Sequence, residues 1–293
     1  MKRWIKWFYE VLPFKKEFFL ILRRLPVPQA IYRHLHFKGI FSIAAGNCAF
    51  KIIHYGYELE NEVFWKGLEG WEKTTLEVWS ALSRKSNCII DVGANTGLFS
   101  LLSKAVNERA TVIAFEPVNR VAEKLEKNIR LNQFDITAVK KGVSNFNGTA
   151  VIYDIPFEHV YSVTINKNLN ALDQKVTPTE IQVITLSSYA EIHQLKKLDL
   201  VKIDVETHEA EVLEGMIEIL RKDKPALIIE ILDNEVADKV NRLLSPFHYL
   251  FFILDDENGP QRTLSIKKNT FKNFLVCSQI DADYLIESSV ITV

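Results

Sequence analysis

Apolar and polar positions follow two periods along the chain, and the changes between them outline a fold. Short apolar runs of strand length occur at Cys88–Val92, Thr111–Phe115, Ile136–Val143, Gly148–Asp154, Ile181–Leu186, Leu198–Asp204 and Pro225–Leu232. Helical spacing lies between several of them. Val121, Leu125, Ile129 and Leu131 form one stripe that ends near Asn132. Val212, Leu213 and Met216 form another behind Thr207, a candidate N-cap, and a third helix runs from Asp233 to about Leu244. His248–Leu254 and Phe271–Ser278 then read as a terminal strand pair joined by a polar loop around Asn258-Gly259-Pro260. Strands that alternate with helices and finish in a hairpin predict a doubly wound α/β sheet with an antiparallel C-terminal edge.

The pattern is weaker upstream. Residues 39–86 carry scattered aromatics, weak strand character at Ile52–Leu59, a helix over Glu72–Ala81 with Leu76 and Trp79 on one side, and a polar connector, Ser83–Asn87. They read as a cap that leads into the sheet and overhangs a ligand. Residues 1–38 form a helical extension: Trp4, Trp7, Phe8, Val11 and Leu12 recur at helical spacing, and Phe18, Ile21, Leu22 and Leu25 repeat the pattern after Pro13. The expected organisation is therefore an amphipathic segment (1–38), a lead-in (39–86) and a main domain (87–293).

Charge sharpens this division. The chain has a net charge of −1, which leaves no overall nucleic-acid footprint. Residues 1–38 nevertheless hold nine Lys/Arg against two Glu, and the remainder 27 basic against 35 acidic residues. Two readings of the basic segment stand side by side: peripheral contact with an anionic membrane surface, or packing onto the domain or a partner subunit with its charges solvated. Its longest purely apolar run, Phe18–Leu22, is far too short to span a bilayer. The three cysteines lack metal-ligand spacing, and Cys88 and Cys277 lie in apolar runs, so they read as buried thiols of a reducing compartment. A cytoplasmic protein is expected, at the inner face of the membrane if the first reading holds.

The candidate chemistry begins at Asp91-Val92-Gly93-Ala94-Asn95-Thr96-Gly97, where a strand ends in an acid and a turn leads into a helix. Counting from Gly93, Asn95 and Leu98 stand where a dinucleotide fingerprint requires its second and third glycines. A phosphate loop would need Gly-Lys-Ser/Thr, whereas Gly97 is followed by Leu98-Phe99. What remains suits a nucleoside without a pyrophosphate, such as S-adenosylmethionine, with Asp91 and the loop amides facing its cationic amino-acid end. The next strand ends in Phe115-Glu116-Pro117, about 20 residues beyond the loop, where an acid can accept both ribose hydroxyls. Ser144-Asn145 follows the third strand, beside the expected position of the base. Asp204, Glu206 and His208 fall where the Leu198–Asp204 strand opens onto the ligand crevice, with His208 the candidate general base. Glu211 reads as a charge at the positive end of the following helix. Asp204 and Glu206 alone are too few oxygen ligands to assign a Mg²⁺ site, and no metal is expected. The polar, aperiodic stretch 155–180 is where acceptor selection is expected.

These motifs, with Val201-Lys202-Ile203-Asp204-Val205-Glu206 and Glu211-Val212-Leu213-Glu214-Gly215, resemble the FkbM family of S-adenosylmethionine-dependent methyltransferases from about residue 87 to 232. The resemblance implies a class I (Rossmann-like) sheet of seven strands with one reversed. It implies Asp91, Gly93, Asn95 and Gly97 on the methionine side, Glu116 on the ribose, Ser144 near the adenine, and Asp204 at the reacting end. It also implies methylation of a hydroxyl on a sugar, glycolipid or secondary metabolite. A protein N-methyltransferase on the same fold and a non-catalytic, membrane-docked scaffold are the alternatives. Two positions depart from the family: Thr207-His208 stand where a glycine commonly follows Asp-Val-Glu, and Leu186-Ser187 replaces a frequent Leu-Asp.

Overall fold

The computed structural model describes residues 14–154, 163–164 and 177–291. The aperiodic stretch expected to select the acceptor falls outside them, apart from 163–164 and 177–180. Helices α1 (Lys15–Leu22) and α2 (Gln29–Tyr32) precede strands β1 (Gly39–Ala45) and β2 (Cys48–His54), then helices α3 (Glu58–Lys66) and α4 (Lys73–Lys85). Next come β3 (Cys88–Val92), α5 (Leu98–Val106), β4 (Thr111–Phe115), α6 (Asn119–Asn132), β5 (Ile136–Val139), β6 (Gly142–Val143), β7 (Gly148–Asp154), β8 (Val163–Thr164) and β9 (Thr177–Ile184). The chain continues through α7 (Leu186–Ile192), β10 (Leu200–Ile203), α8 (Glu209–Glu214), α9 (Ile217–Lys222), β11 (Ala226–Glu230) and α10 (Asn234–Leu244). It ends in β12 (Leu250–Asp255), β13 (Gly259–Thr263), β14 (Asn273–Cys277) and α11 (Gln279–Glu287).

The central sheet runs β13-β12-β14-β11-β10-β3-β4-β5. Strands β5, β4, β3, β10 and β11 are parallel to one another, and β14 is reversed between β11 and β12. Seven strands with one reversed are the class I arrangement that the motifs imply. The eighth is a departure: the segment expected as loop around Gly259 instead adds β13 antiparallel to β12. Central strands bury both faces because alternate side chains enter two separate cores. Ile89 packs with α4, α5 and the lead-in, whereas Ile90 and Val92 pack with α8, α9 and α10. The run 136–143 also divides. Gly142–Val143 leaves the central sheet as β6 and pairs with β9, which is antiparallel to β7, to build a second sheet above the carboxyl ends of β4 and β5.

The lead-in is more structured than its sequence predicts. A two-residue Gly46-Asn47 turn joins β1 to β2, and Phe41, Ile43 and Ala45 point inward at alternate positions. The free edge of β2 is closed by side chains of α6. Ile53 N–H donates to Asn128 Oδ1 (3.0 Å), and Asn132 accepts from Lys51 N–H and donates to its carbonyl (2.7 Å each). Leu76 and Trp79 are fully buried as expected, but the helix runs on to Lys85, so Ser83 belongs to it and is buried rather than part of a connector.

In α1 the residue that packs is Phe19, against Phe37 and Trp65, whereas Phe18, Ile21 and Leu25 of the expected stripe are exposed and Leu22 is half-buried. The other apolar stripe, Trp4 to Leu12, lies outside the described residues. No helix among the described residues is long and apolar enough to cross a membrane. The C-terminal strand pair is followed by α11, which begins in a capping box formed by Ser278 and Asp281.

Candidate active site

The site forms at the carboxyl ends of β3, β4, β10 and β11, where the strand order changes direction. A cleft of about 330 Å³ opens there, within the range of small-ligand sites. Gly93 leaves β3 at φ 81°, and a Cβ on it would lie 1.9 Å from the Asp204 carbonyl oxygen. Only glycine lets the two loops approach so closely. Asn95 follows at φ 52° and directs its N–H to Glu116 Oε2 (3.0 Å), while Val118 N–H donates to Oε1 (3.0 Å). Burial pushes the Glu116 carboxyl up to about 7 despite these two donors. Above it, Val118, Val143, Ile152, Ile181 and Val183 form an apolar wall contributed largely by the second sheet.

Asp91, expected on the methionine side, lies beneath the loop and is not among the residues that line the cleft. Its carboxylate is sealed under the loop and accepts the Ser100 hydroxyl (2.6 Å). Gly97, the N-cap of α5, has no side chain to offer the first turn, and Asp91 serves that turn from beneath. Gly97 packs on Leu125, and Ser144 is buried against His208, so both support the cleft from behind. Gly93, Asn95, Glu116, Asp204, Glu206 and His208 line it.

The β10 exit is tied by Glu209, not by a Thr207 cap. Glu209 folds back to accept the N–H groups of Val205 and Thr207 (3.4 and 3.0 Å), which holds Glu206 at φ 52° and Thr207 at φ 80°. A β-branched residue is strained in that region, and Thr207 occupies the position where the family commonly has glycine. His208 is engaged at both ring nitrogens, with Ser144 Oγ 3.0 Å from Nε2 and Glu211 Oε2 3.4 Å from Nδ1. Burial lowers its pKa, and Glu211 and Glu214 oppose that shift. Glu211 therefore acts as a partner of His208, beyond its expected role at the helix end.

Three residues escaped the sequence reading. Lys202, one turn of the pleat before Asp204, lies beneath the cleft with its ammonium paired to Asp204 Oδ2 and 4.5 Å from the Phe99 ring centre. Burial disfavours its charge, but Asp204, Glu72 and Asp91 outweigh this and raise its pKa. Glu72 enters from the lead-in at φ 41°, its Oε2 sealed from solvent without a partner among the described residues, and burial pushes its carboxyl up to about 7. Glu230, at the end of β11, is pushed up to about 9 by burial and by Asp204 and Glu206. Lone acids at element ends carry no motif, and the only signal for Glu230 was its place at the end of a buried strand.

Glu230 makes stability depend on pH. The unfolded carboxyl ionises near 4.5 and the folded one near 9, so unfolding releases a proton between those values. The stability that the neutral group contributes is complete below pH 4.5 and is lost as pH rises toward 9. Glu230→Gln removes this dependence. Its Tm should gain on that of the wild type as pH is raised across the window, and parallel Tm curves would refute the assignment.

The cleft fits S-adenosylmethionine on its own chemistry. Asn95 Oδ1 and Glu72 Oε2 are buried acceptors without partners among the described residues, Glu116 offers two oxygens to a diol, and the apolar wall suits a purine. Residues 91–256 match the family described as the Methyltransferase FkbM domain. Methyltransferase 1 of Beauveria bassiana (strain ARSEF 2860) is 27% identical over 143 residues, 44% of this chain and 57% of that protein. The hexuronic acid methyltransferase AglP of Haloferax volcanii is 28% identical over 163 residues, 56% of this chain and 63% of that protein. The matches span about three fifths of the length of three curated relatives, these two and the methyltransferase sdnD of Sordaria araneosa. The solved methyltransferase FkbM from Methylobacillus flagellatus KT aligns with 65% of this chain and 43% of its own, at 17% identity and a TM-score of 0.42. With more than half of its residues matched by one family, the chain belongs to the FkbM methyltransferases, whose methyl donor is S-adenosylmethionine.

Proposed function

We propose that the protein methylates a hydroxyl oxygen of a sugar, glycolipid or secondary metabolite. The observation that carries this reading is the set of acids at the end of the cleft away from the apolar wall: Asp204, Glu206, Glu72 and Glu230. With its carboxyl pushed up to about 9, Glu230 is neutral near pH 7 and can donate as well as accept, which suits hydroxyl groups. A protein amine would be held there as an ammonium and lose its nucleophilic lone pair. The relative from Haloferax volcanii, named as acting on a hexuronic acid, supports a carbohydrate acceptor.

When bound, S-adenosylmethionine supplies an electrophilic methyl group. Glu116 would hold the ribose, Asn95 and the Gly93 backbone the methionine side, and the Val118–Val183 wall the base. Most of the acceleration then comes from alignment of the acceptor oxygen. That oxygen gains the methyl group, and its proton passes to a protein carboxylate. Asp204 is the assigned acceptor: it is paired with Lys202, and its side chain keeps 28% of its surface open to the cleft. His208 is the less suitable base because Ser144 and Glu211 occupy its nitrogens.

Asp204→Asn should lower kcat about 10²-fold, the lower end of general-base effects, with donor affinity nearly unchanged. His208→Ala should instead weaken donor binding and change kcat less than about tenfold. Single-turnover rates on a panel of glycan and polyol acceptors, with calorimetric titration of the donor, test both. The opposite pattern would return the role of base to His208, and turnover confined to peptide amines would overturn O-methylation.

A further inference from the structure

We propose that α1 and the turn after it form a docking surface for an anionic lipid bilayer. Phe14, Phe18, Ile21 and Leu25 recur at helical spacing and remain 77%, 54%, 64% and 60% exposed. Four large apolar residues on one narrow stripe differ from the scattered apolar residues of an ordinary surface. The opposite side of the same helix is already satisfied, since Phe19 is buried against Phe37 and Trp65. The outward stripe is thus a second apolar face on the helix that Phe19 anchors to the core.

Charge identifies the occupant. Residues 14–38 carry Lys15, Lys16, Arg23, Arg24, Arg33 and Lys38 against Glu17 alone, whereas residues 39–293 are net acidic. Arg23 turns inward over the Phe64 ring, and the remaining cations near exposed Phe, Ile and Leu match the two components of interfacial binding, insertion of apolar side chains and attraction to anionic headgroups.

The surface is joined to the cleft through one helix. Tyr32 of α2 donates to Glu62 of α3 (2.7 Å) and stacks on Trp65. Tyr57, Glu58 and Leu59, at the start of α3, line the cleft. A bilayer that engaged α1 would therefore lie against the support of the cleft's rim, where an amphiphilic acceptor could be presented. The docking itself does not depend on the identity of the acceptor.

The test is flotation of the full chain with vesicles of phosphatidylcholine alone or mixed with phosphatidylserine. The wild type should float with the mixed vesicles, fail with the neutral ones and be released by high salt. Phe18→Ser/Ile21→Ser/Leu25→Ser should reduce the floated fraction about tenfold, and Arg24→Glu/Arg33→Glu should do the same, with Tm unchanged in both. Absence of flotation, or full flotation of the triple serine variant, would overturn the proposal. So would a wild-type dimer that the triple variant converts to monomer, because the stripe would then be a subunit interface.

Discussion

Lys202→Met should cost about 3–5 kcal/mol of stability, the usual penalty for leaving buried charge without its partner. The side chain is 3% exposed, and its ammonium serves several acids at once: paired with Asp204, it also offsets the charges of Asp91 and Glu72. Methionine matches the length and fills the space over Phe99, so loss of packing is small and charge dominates. Asp91 has Ser100 on one oxygen and, among the described residues, no partner on the other, so removal of the cation leaves its charge uncompensated. Urea unfolding followed by circular dichroism reads the loss directly, and Lys202→Arg, which keeps the charge, should recover part of it. Wild-type stability in the methionine variant would mean that the acids are already neutral without lysine and that the ion pair is dispensable.

A single methyl group should do comparable damage at Gly93. Alanine there must adopt φ 81°, costing about 1–2 kcal/mol for an L-residue. Its Cβ would also meet backbone, the Asp204 carbonyl oxygen at 1.9 Å, which cannot rotate away as a side chain could. Asp204 N–H is bonded to the Val92 carbonyl, so relief of the clash requires the exits of β3 and β10 to separate. Overpacking of this kind adds about 1–3 kcal/mol. The displaced loop carries Asn95, whose N–H orients Glu116, so donor affinity should fall at least about tenfold even in protein that folds. Thermal melts with calorimetric titration separate the two effects. Normal donor binding by a folded Gly93→Ala protein would show that the loop tolerates the shift and that its tightness serves packing alone.

The central sheet was legible because its strands are apolar on both faces and its loops carry glycine at fixed offsets. The ligand end of β3 and β4 was legible for the same reason. The lead-in was harder. In β1 the outward Ile40 and Ala44 are as apolar as the inward Phe41 and Ile43, which blurs the alternation that marks a half-buried strand. Helix α11 buries only Ala282 and Leu285 and exposes Ile280, so its stripe is too narrow to read. At the site, local rules failed where distant groups decide the geometry. Thr207 has the chemistry of an N-cap, but Glu209 takes the loop amides and turns Thr207 into a left-handed conformation. Asp91 stands at a strand end, and one of its oxygens accepts the Ser100 hydroxyl of α5. Glu72 and Glu230 are brought together from positions far apart in sequence, a juxtaposition that no spacing reveals.

The amide of Asn128 ties β2 to the Gly93–Gly97 loop. Its oxygen holds the Ile53 N–H on β2, and its nitrogen donates to the Thr96 carbonyl in the Gly93–Gly97 loop (2.8 Å). An opening that withdraws Asn128 from both partners frees the Ile53 N–H to exchange with solvent and releases the loop proposed to bind the donor. Donor binding and exchange at Ile53 are therefore linked equilibria. If the open form does not bind, a donor present at 100 times its Kd slows that exchange by about 100-fold. A hairpin with no residue at the reacting centre thus becomes a reporter of occupancy there.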